Sequence, residues 1–173
     1  MSPLEIHSFV NSLGYTFSFI EMLEIPTIAV IEGAALGGGL ELALSCDLRI
    51  CAFTRAGGTV RLPRLLGKAL SKEIIFTGRR IGGRDAMSMG LVNHCVPAGD
   101  ARLKALEIAC EINEKGPLAI KMAKKAINEG LETTTASALE LEEFYYQQLL
   151  NTKDRLEGLA AFAEKRKPRY SGE

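Results

Sequence analysis

The run Ile31-Glu32-Gly33-Ala34-Ala35-Leu36-Gly37-Gly38-Gly39-Leu40-Glu41-Leu42-Ala43-Leu44-Ser45-Cys46-Asp47 concentrates the residues able to do chemistry. Three successive glycines let a ligand approach the backbone closely, because no Cβ stands in the way. Amides at a helix start have no partner inside the helix and favour negative charge. Together these are the physics of an oxyanion hole. Glu41 follows the turn and can present a carboxylate near the same point, for acid/base work. The same spacing also suits a tight turn with close helix–strand packing. The G-x-G-x-x-G dinucleotide fingerprint is not matched.

The elements that must hold this turn are legible on either side of it. Ser2-Pro3-Leu4-Glu5 reads as a helix start, with Ser as N-cap, Pro at the first position and Glu reaching back. Apolar residues at Ile6, Phe9, Val10, Leu13, Phe17, Ile20 and Leu23 keep a helical period until Pro26. Thr27-Ile28-Ala29-Val30-Ile31 predicts a strand buried on both faces. Leu48-Arg49-Ile50-Cys51-Ala52 and Leu91-Val92-Asn93-His94-Cys95-Val96 are two more strand candidates. Helices are expected over 65–78 with Gly78 at the C-terminus, over 83–89, 100–114 and 117–129 with Gly130 as C-cap, and over 135–150. Asp154-Arg155-Leu156-Glu157 has capping-box spacing and opens a last helix, ended before Pro168.

Strands alternating with helices predict an α/β fold with parallel pairing. The division expected is residues 1–99 as an α/β core and 100–173 as an all-helical region. Three candidate strands are few for a self-sufficient parallel sheet, which usually has about four to six.

Composition narrows the function. The 173 residues carry 21 Lys+Arg against 21 Asp+Glu, a formal net charge of zero, which argues against a dedicated nucleic-acid binder. With 7 Phe, 4 Tyr and no Trp, base-stacking platforms are not expected. No apolar run approaches the roughly 20 residues of a membrane span. The balance conceals an asymmetry: residues 1–50 hold one basic and six acidic residues, and the excess is reversed over 51–173. Arg61, Arg64, Lys68, Lys72, Arg79, Arg80 and Arg84 face Glu73 alone within 61–84, which reads as a solvated helical face or as a site for a phosphate-bearing ligand. Cys46, Cys51, Cys95 and Cys110 form no C-x-x-C pair, and His7 and His94 are the only histidines, so no metal site is expected. Such scattered cysteines fit reduced core residues.

The glycine-turn stretch resembles the signature of the crotonase (enoyl-CoA hydratase/isomerase) superfamily. The likeness continues through Ala56-Gly57-Gly58-Thr59-Val60-Arg61-Leu62-Pro63, Lys72-Glu73-Ile74-Ile75-Phe76-Thr77-Gly78-Arg79, Ala86-Met87-Ser88-Met89-Gly90-Leu91-Val92 and Asp154-Arg155-Leu156-Glu157-Gly158-Leu159-Ala160-Ala161-Phe162. The tail Glu164-Lys165-Arg166-Lys167-Pro168-Arg169-Tyr170 resembles the mitochondrial branch containing AU-binding methylglutaconyl-CoA hydratase.

The resemblance implies a partial crotonase-like spiral core of parallel strands and helices, followed by a helical oligomerisation region that forms trimers, often paired into hexamers. It implies acyl-CoA thioester substrates, no cofactor beyond the CoA they carry, no membrane partner, and a mitochondrial matrix location. The oxyanion amide falls on Gly38 and the first catalytic glutamate on Glu41. Gly37, Gly39, Phe162 and Lys165 fall at substrate- or CoA-binding positions, although Phe162 also reads as core and Lys165 as a solvated tail charge.

Departures from the family pattern matter equally. The chain is expected to lack upstream strands, one of which carries the other oxyanion amide, and an internal segment after Cys51. That segment carries the second glutamate in relatives, and no acidic residue lies between Asp47 and Glu73. Losing one oxyanion donor costs about 10²–10³ in kcat, and losing a general acid or base a further 10²–10⁴ or so. The expectation is therefore a hydratase-type chain of impaired activity, or else a non-catalytic acyl-CoA binder or oligomer subunit. Isomerase and carbon–carbon-cleaving chemistries share the oxyanion hole. RNA binding is disfavoured by zero net charge.

Overall fold

The structure, a computed structural model, describes residues 2–52, the backbone of residues 56–57, and residues 61–173. It divides into two compact units: Met1–Leu23 with Thr27–Glu107, and Glu24–Pro26 with Ile108–Glu173.

The first unit opens with helix α1 (Pro3–Met22). Its start is the capping box expected from Ser2 and Glu5: the Glu5 amide donates to Ser2 Oγ at 3.3 Å, and the Ser2 amide to Glu5 Oε2 at 2.6 Å. The apolar stripe is a different matter. Phe17 alone is buried, while Ile6, Phe9 and Val10 are 49%, 55% and 57% exposed. The first half of the helix is exposed and burial is confined to its second half, so periodicity alone does not bury its face.

Strand β1 (Ile28–Ile31) leads to β2 (Ala35–Leu36), helix α2 (Gly38–Leu44), β3 (Leu48–Ala52) and β4 (Ala56–Gly57). Helices α3 (Leu62–Leu66), α4 (Lys68–Thr77) and α5 (Gly83–Ser88) follow, then β5 (His94–Val96) and α6 (Ala101–Asn113). The three strand candidates form one parallel sheet in the order β1-β3-β5. Asp47 sets its register: Oδ2 accepts from the Thr27 amide at 2.7 Å and from Thr27 Oγ1 at 2.8 Å, placing Ile28 beside Leu48. Central β3 is buried at Ile50, Cys51 and Ala52. β1 corrects the sequence reading. It lies at an edge of this sheet, and Val30 is 41% exposed. A second parallel pair, β2–β4, has two residues per strand, too short for any pattern to announce.

The helix expected over 65–78 is two helices. Gly67 has φ 75° and splits α3 from α4, a backbone bend that continuous apolar spacing conceals. Gly78, left-handed at φ 59°, ends α4 as expected. Leu40, Leu44, Leu62, Ile74, Ile81 and Leu91 pack in one cluster beneath these helices. Buried Arg49 ties β3 to the segment before β5, with Nε donating to the Leu91 carbonyl at 2.8 Å and Nη1 to the Cys46 carbonyl at 2.7 Å. Gly83 lies so close to the sheet that a Cβ there would sit 2.7 Å from Cys95 Sγ and 3.0 Å from the Ala52 carbonyl oxygen. Burial, then the Cys95 thiol, push the Cys51 thiol up to about 12.

In the second unit, α7 (Pro117–Gly130) and α8 (Thr135–Gln147) pack against each other. Gly130 lies inside α7 and Leu131 is the cap. Gly130 faces α8, where a Cβ would meet that of Ala138 at 3.4 Å, an ordinary contact distance. Helix α9 (Lys153–Ala163) is capped by Thr152, whose Oγ1 accepts from the Arg155 amide at 3.2 Å. Asp154, expected as that cap, is buried and instead accepts from the Ser171 amide at 2.7 Å and the Gly172 amide at 3.1 Å. Glu24 pairs with Lys121 at 2.5 Å and Lys125 at 2.8 Å, and those ammonium groups draw its carboxyl down to about 2.

Candidate functional site

The glycine turn forms because β2 must reverse into α2 within one residue. Gly37 does this at φ 50° and ψ −123°, a conformation open in practice to glycine alone. The Leu40 and Glu41 amides both donate to the Gly37 carbonyl at 3.1 Å, which closes the first turn. Gly38 and Gly39 amides donate to no acceptor among the described residues. All three glycines are exposed, and no atom lies within 4 Å of where a Cβ would stand on any of them. Packing therefore does not require Gly38 or Gly39. The tight turn is present and α2 packs on β2 and β1, but the contact does not run through Gly38 or Gly39. What remains is a bare backbone edge with free donors, open to a ligand.

Glu41 sits in the first turn of α2, its side chain 16% exposed. Its Oε2 accepts from Arg61 Nη1 at 3.0 Å. The same guanidinium turns its other edge to Glu21 on α1: Nε reaches Oε1 at 2.6 Å and Nη2 reaches Oε2 at 3.1 Å. This is a bidentate fork, the strongest arrangement available to an arginine and a carboxylate. The guanidinium also lies 5.8 Å from the centroid of the Phe17 ring. Glu21 first, and Glu41 less, raise the Arg61 pKa above its ordinary value, so this cation is permanent.

Arg61 was one member of the basic run 61–84. The structure commits it to two carboxylates and pairs Arg79 with Glu73 at 2.8 Å. Glu21 is the site residue that sequence reading missed. The available signal was its place four residues after Phe17, on the same stripe of α1. Ala56-Gly57 pairs as a strand, while Gly58-Thr59-Val60 and the junction at 53–55 lie outside the described residues.

Gly37, Gly38, Gly39 and Glu41 are thus brought together in the first unit. Phe162 and Lys165 belong to the second. Phe162, on α9, is 87% exposed, and Lys165 follows with φ 54°. Beside them Glu157, Arg166, Lys167 and Arg169 line an open hollow of about 570 Å³. Arg166 donates to Glu157 at 2.5 Å and, with the Arg169 amide, draws that carboxyl down to about 2. Among the described residues no three His, Cys, Asp or Glu side chains group as a metal site, and no helix is long and apolar enough to cross a membrane.

A sequence profile described as Enoyl-CoA hydratase/isomerase matches residues 7–173. The chain is 65% identical over 186 residues to a probable mitochondrial enoyl-CoA hydratase 2 of Arabidopsis thaliana, covering 99% of this chain and 62% of that one. It is 46% identical over 191 residues to the mitochondrial methylglutaconyl-CoA hydratase of Homo sapiens, covering 100% of this chain and 56% of that one. The chain therefore spans about three-fifths of the length of these relatives. Among solved structures, an enoyl-CoA hydratase from Bacillus anthracis superposes with a TM-score of 0.97 at 42% identity, over 100% of this chain and 72% of its own.

Proposed function

The chain belongs to the enoyl-CoA hydratase/isomerase family and has its crotonase fold, and from that premise we propose that it binds acyl-CoA thioesters at the glycine turn. The carbonyl oxygen of the thioester lies against the Gly38 amide, flanked by Gly37 and Gly39. Glu41 is the acid/base group that acts on water for addition across a 2,3-double bond. The observation that carries this reading is the pair of exposed, unpartnered amides beside a half-buried carboxylate. A preorganised donor at a forming oxyanion is worth about 3–4 kcal/mol in the transition state. The reaction needs no cofactor beyond the CoA of its substrate. Exposed Phe162 and nearby Lys165 are available to CoA, and the helical second unit serves as the trimerisation region. The named mitochondrial relatives support a mitochondrial location.

Hydration by this chain is expected to be weak. Glu41 is held in an ion pair, and no acidic residue lies between Asp47 and Glu73 to supply the second proton-transfer group. The same observation favours a second reading, an acyl-CoA-binding subunit without appreciable turnover. Two measurements on the purified chain separate them: loss of enoyl absorbance with crotonyl-CoA, and calorimetric binding of a saturated acyl-CoA. Binding with turnover far below a full-length enoyl-CoA hydratase is the expected result. Turnover near the full-length level would refute the impairment, and absence of binding would refute the acyl-CoA reading itself.

A further inference from the structure

We propose that Glu32 is a positioning residue for the Gly38 amide: its carboxylate ties the chain leaving β1 to the chain leaving β5 and so fixes the connector that carries the glycine turn. The inference rests on Gly38 being the amide that meets the thioester oxygen.

The strand register supplies the frame. β1, β3 and β5 run parallel, and Ile31, Cys51 and Cys95 stand in line across the sheet. All three strands therefore end on one side, with β3 between the other two. Glu32 is the first residue beyond β1. Its Oε2 accepts from the Gly99 amide and its Oε1 from the Arg102 amide, both at 3.3 Å. Those donors lie in the chain that leaves β5, a strand two spacings or about 10 Å from β1. One carboxylate thus joins the exits of the two outer strands, and each of its oxygens has its own donor.

The donors make the contact directional. Arg102 is the second residue of α6, and an amide there has no acceptor inside the helix. Asp100, directly before α6, has no side-chain hydrogen bond among the described residues. Glu32 does the work of a cap from 70 positions away. Its negative charge also meets the positive end of a 13-residue helix.

What Glu32 holds is the start of a short connector. Gly33 and Ala34 are exposed, and a Cβ on Gly33 would touch no atom within 4 Å. β2, the next element, has two residues, and Gly37 follows it at once. The chain between β1 and the turn is therefore pinned by the Glu32 carboxylate at its start and by buried Ala35 further on. A donor misplaced by about 1 Å can cost on the order of 10² in rate, so slack at the first pin is felt at Gly38.

The test uses the full chain with Glu32→Ala, which removes both acceptors, and Glu32→Gln, which keeps one. The ¹H–¹⁵N resonance of Gly38, assigned by its loss in Gly38→Ala, reads the amide directly and needs no ligand. It should be displaced in Glu32→Ala and displaced less in Glu32→Gln, while that of Gly130, in the second unit, stays in place. Calorimetry with butyryl-CoA should show binding about 10-fold weaker in Glu32→Ala, with Glu32→Gln in between. A Glu32 that only caps α6 would lower the unfolding midpoint and leave both readouts at their wild-type values. An unmoved Gly38 resonance or an unchanged affinity in folded Glu32→Ala therefore overturns the proposal. A wild type that fails to bind butyryl-CoA, with a Gly38 resonance that still responds to Glu32, upholds the positioning and refutes the acyl-CoA reading alone. Where far-UV circular dichroism shows Glu32→Ala unfolded, Glu32→Gln carries the comparison, and a Gly38 resonance superimposable on that of wild type overturns the proposal.

Discussion

Arg61 donates to Glu41 at 3.0 Å, with their side chains only 19% and 16% exposed. The pair joins the first turn of α2 to the segment entering α3. Partial burial strengthens the attraction and adds a desolvation cost against it, so the net contribution stays near the upper end of a surface pair's, about 1 kcal/mol. Glu41→Gln should cost about 1 kcal/mol in urea unfolding, since Arg61 keeps Glu21. In the same variant any residual crotonyl-CoA turnover should fall about 10²-fold or more, with acyl-CoA binding retained. Turnover unchanged by Glu41→Gln would remove that residue from the chemistry.

The glycine turn separates structure from function residue by residue. Gly37→Ala forces a side chain into φ 50°, ψ −123°, and should destabilise by about 1–3 kcal/mol. Gly38→Ala meets no atom within 4 Å and should stay within about 0.5 kcal/mol of wild type. Its methyl group would nevertheless stand where the ligand approaches. Calorimetry should therefore show weakened acyl-CoA binding in a variant with a normal unfolding midpoint. Intact binding would mean that the open edge is not the ligand site.

Gly83→Ala offers the opposite case. The new methyl would press on Cys95 Sγ and on the Ala52 carbonyl, and a backbone oxygen in the central strand cannot step aside cheaply. Overpacking of this kind costs about 1–3 kcal/mol, readable as a lowered urea midpoint. The double variant Gly83→Ala with Cys95→Ala should recover part of the loss, because the closest clash is with the Cys95 sulfur.

Acid sensitivity should be visible at Glu24. Its carboxyl is drawn from the ordinary 4.5 down to about 2 by Lys121 and Lys125. A depressed folded pKa contributes stability above the unfolded value, and that contribution is lost as pH falls through the folded one. Glu24→Gln should therefore differ from wild type at pH 7 and converge with it between about pH 4.5 and 2. Raised salt should shrink the difference at pH 7, because the pair is exposed. Unfolding midpoints at pH 7, 4 and 2.5 would check both trends, and a constant gap would refute the pairing.

What the sequence could reveal was set by range. The Ser2–Glu5 capping box spans one turn, and the left-handed Gly78 needs only its neighbours, so both were legible. The parallel strands were legible too, because β-branched runs bounded by glycine and proline mark themselves. Val30 was misread because burial depends on what lies beside a strand, and its sequence does not say that β1 is at an edge. The break at Gly67 was hidden by apolar spacing that runs across it. In the site, the glycine turn and Glu41 are contiguous and could be named. Glu21 and Arg61 lie forty positions apart, and their pairing exists only once α1 and α3 are folded.

Helix α1 has a kinetic consequence. Its 20 residues make a rod about 30 Å long. The capping box secures its first turn, but Phe17 and Glu21 fasten only its second half. Amide protons in that half should exchange with solvent only when the first unit opens as a whole. Those ahead of Leu13 should exchange through local unwinding, at rates that ignore global stability. One helix then reports on two separate opening events, and denaturant should accelerate the later amides far more than the earlier ones.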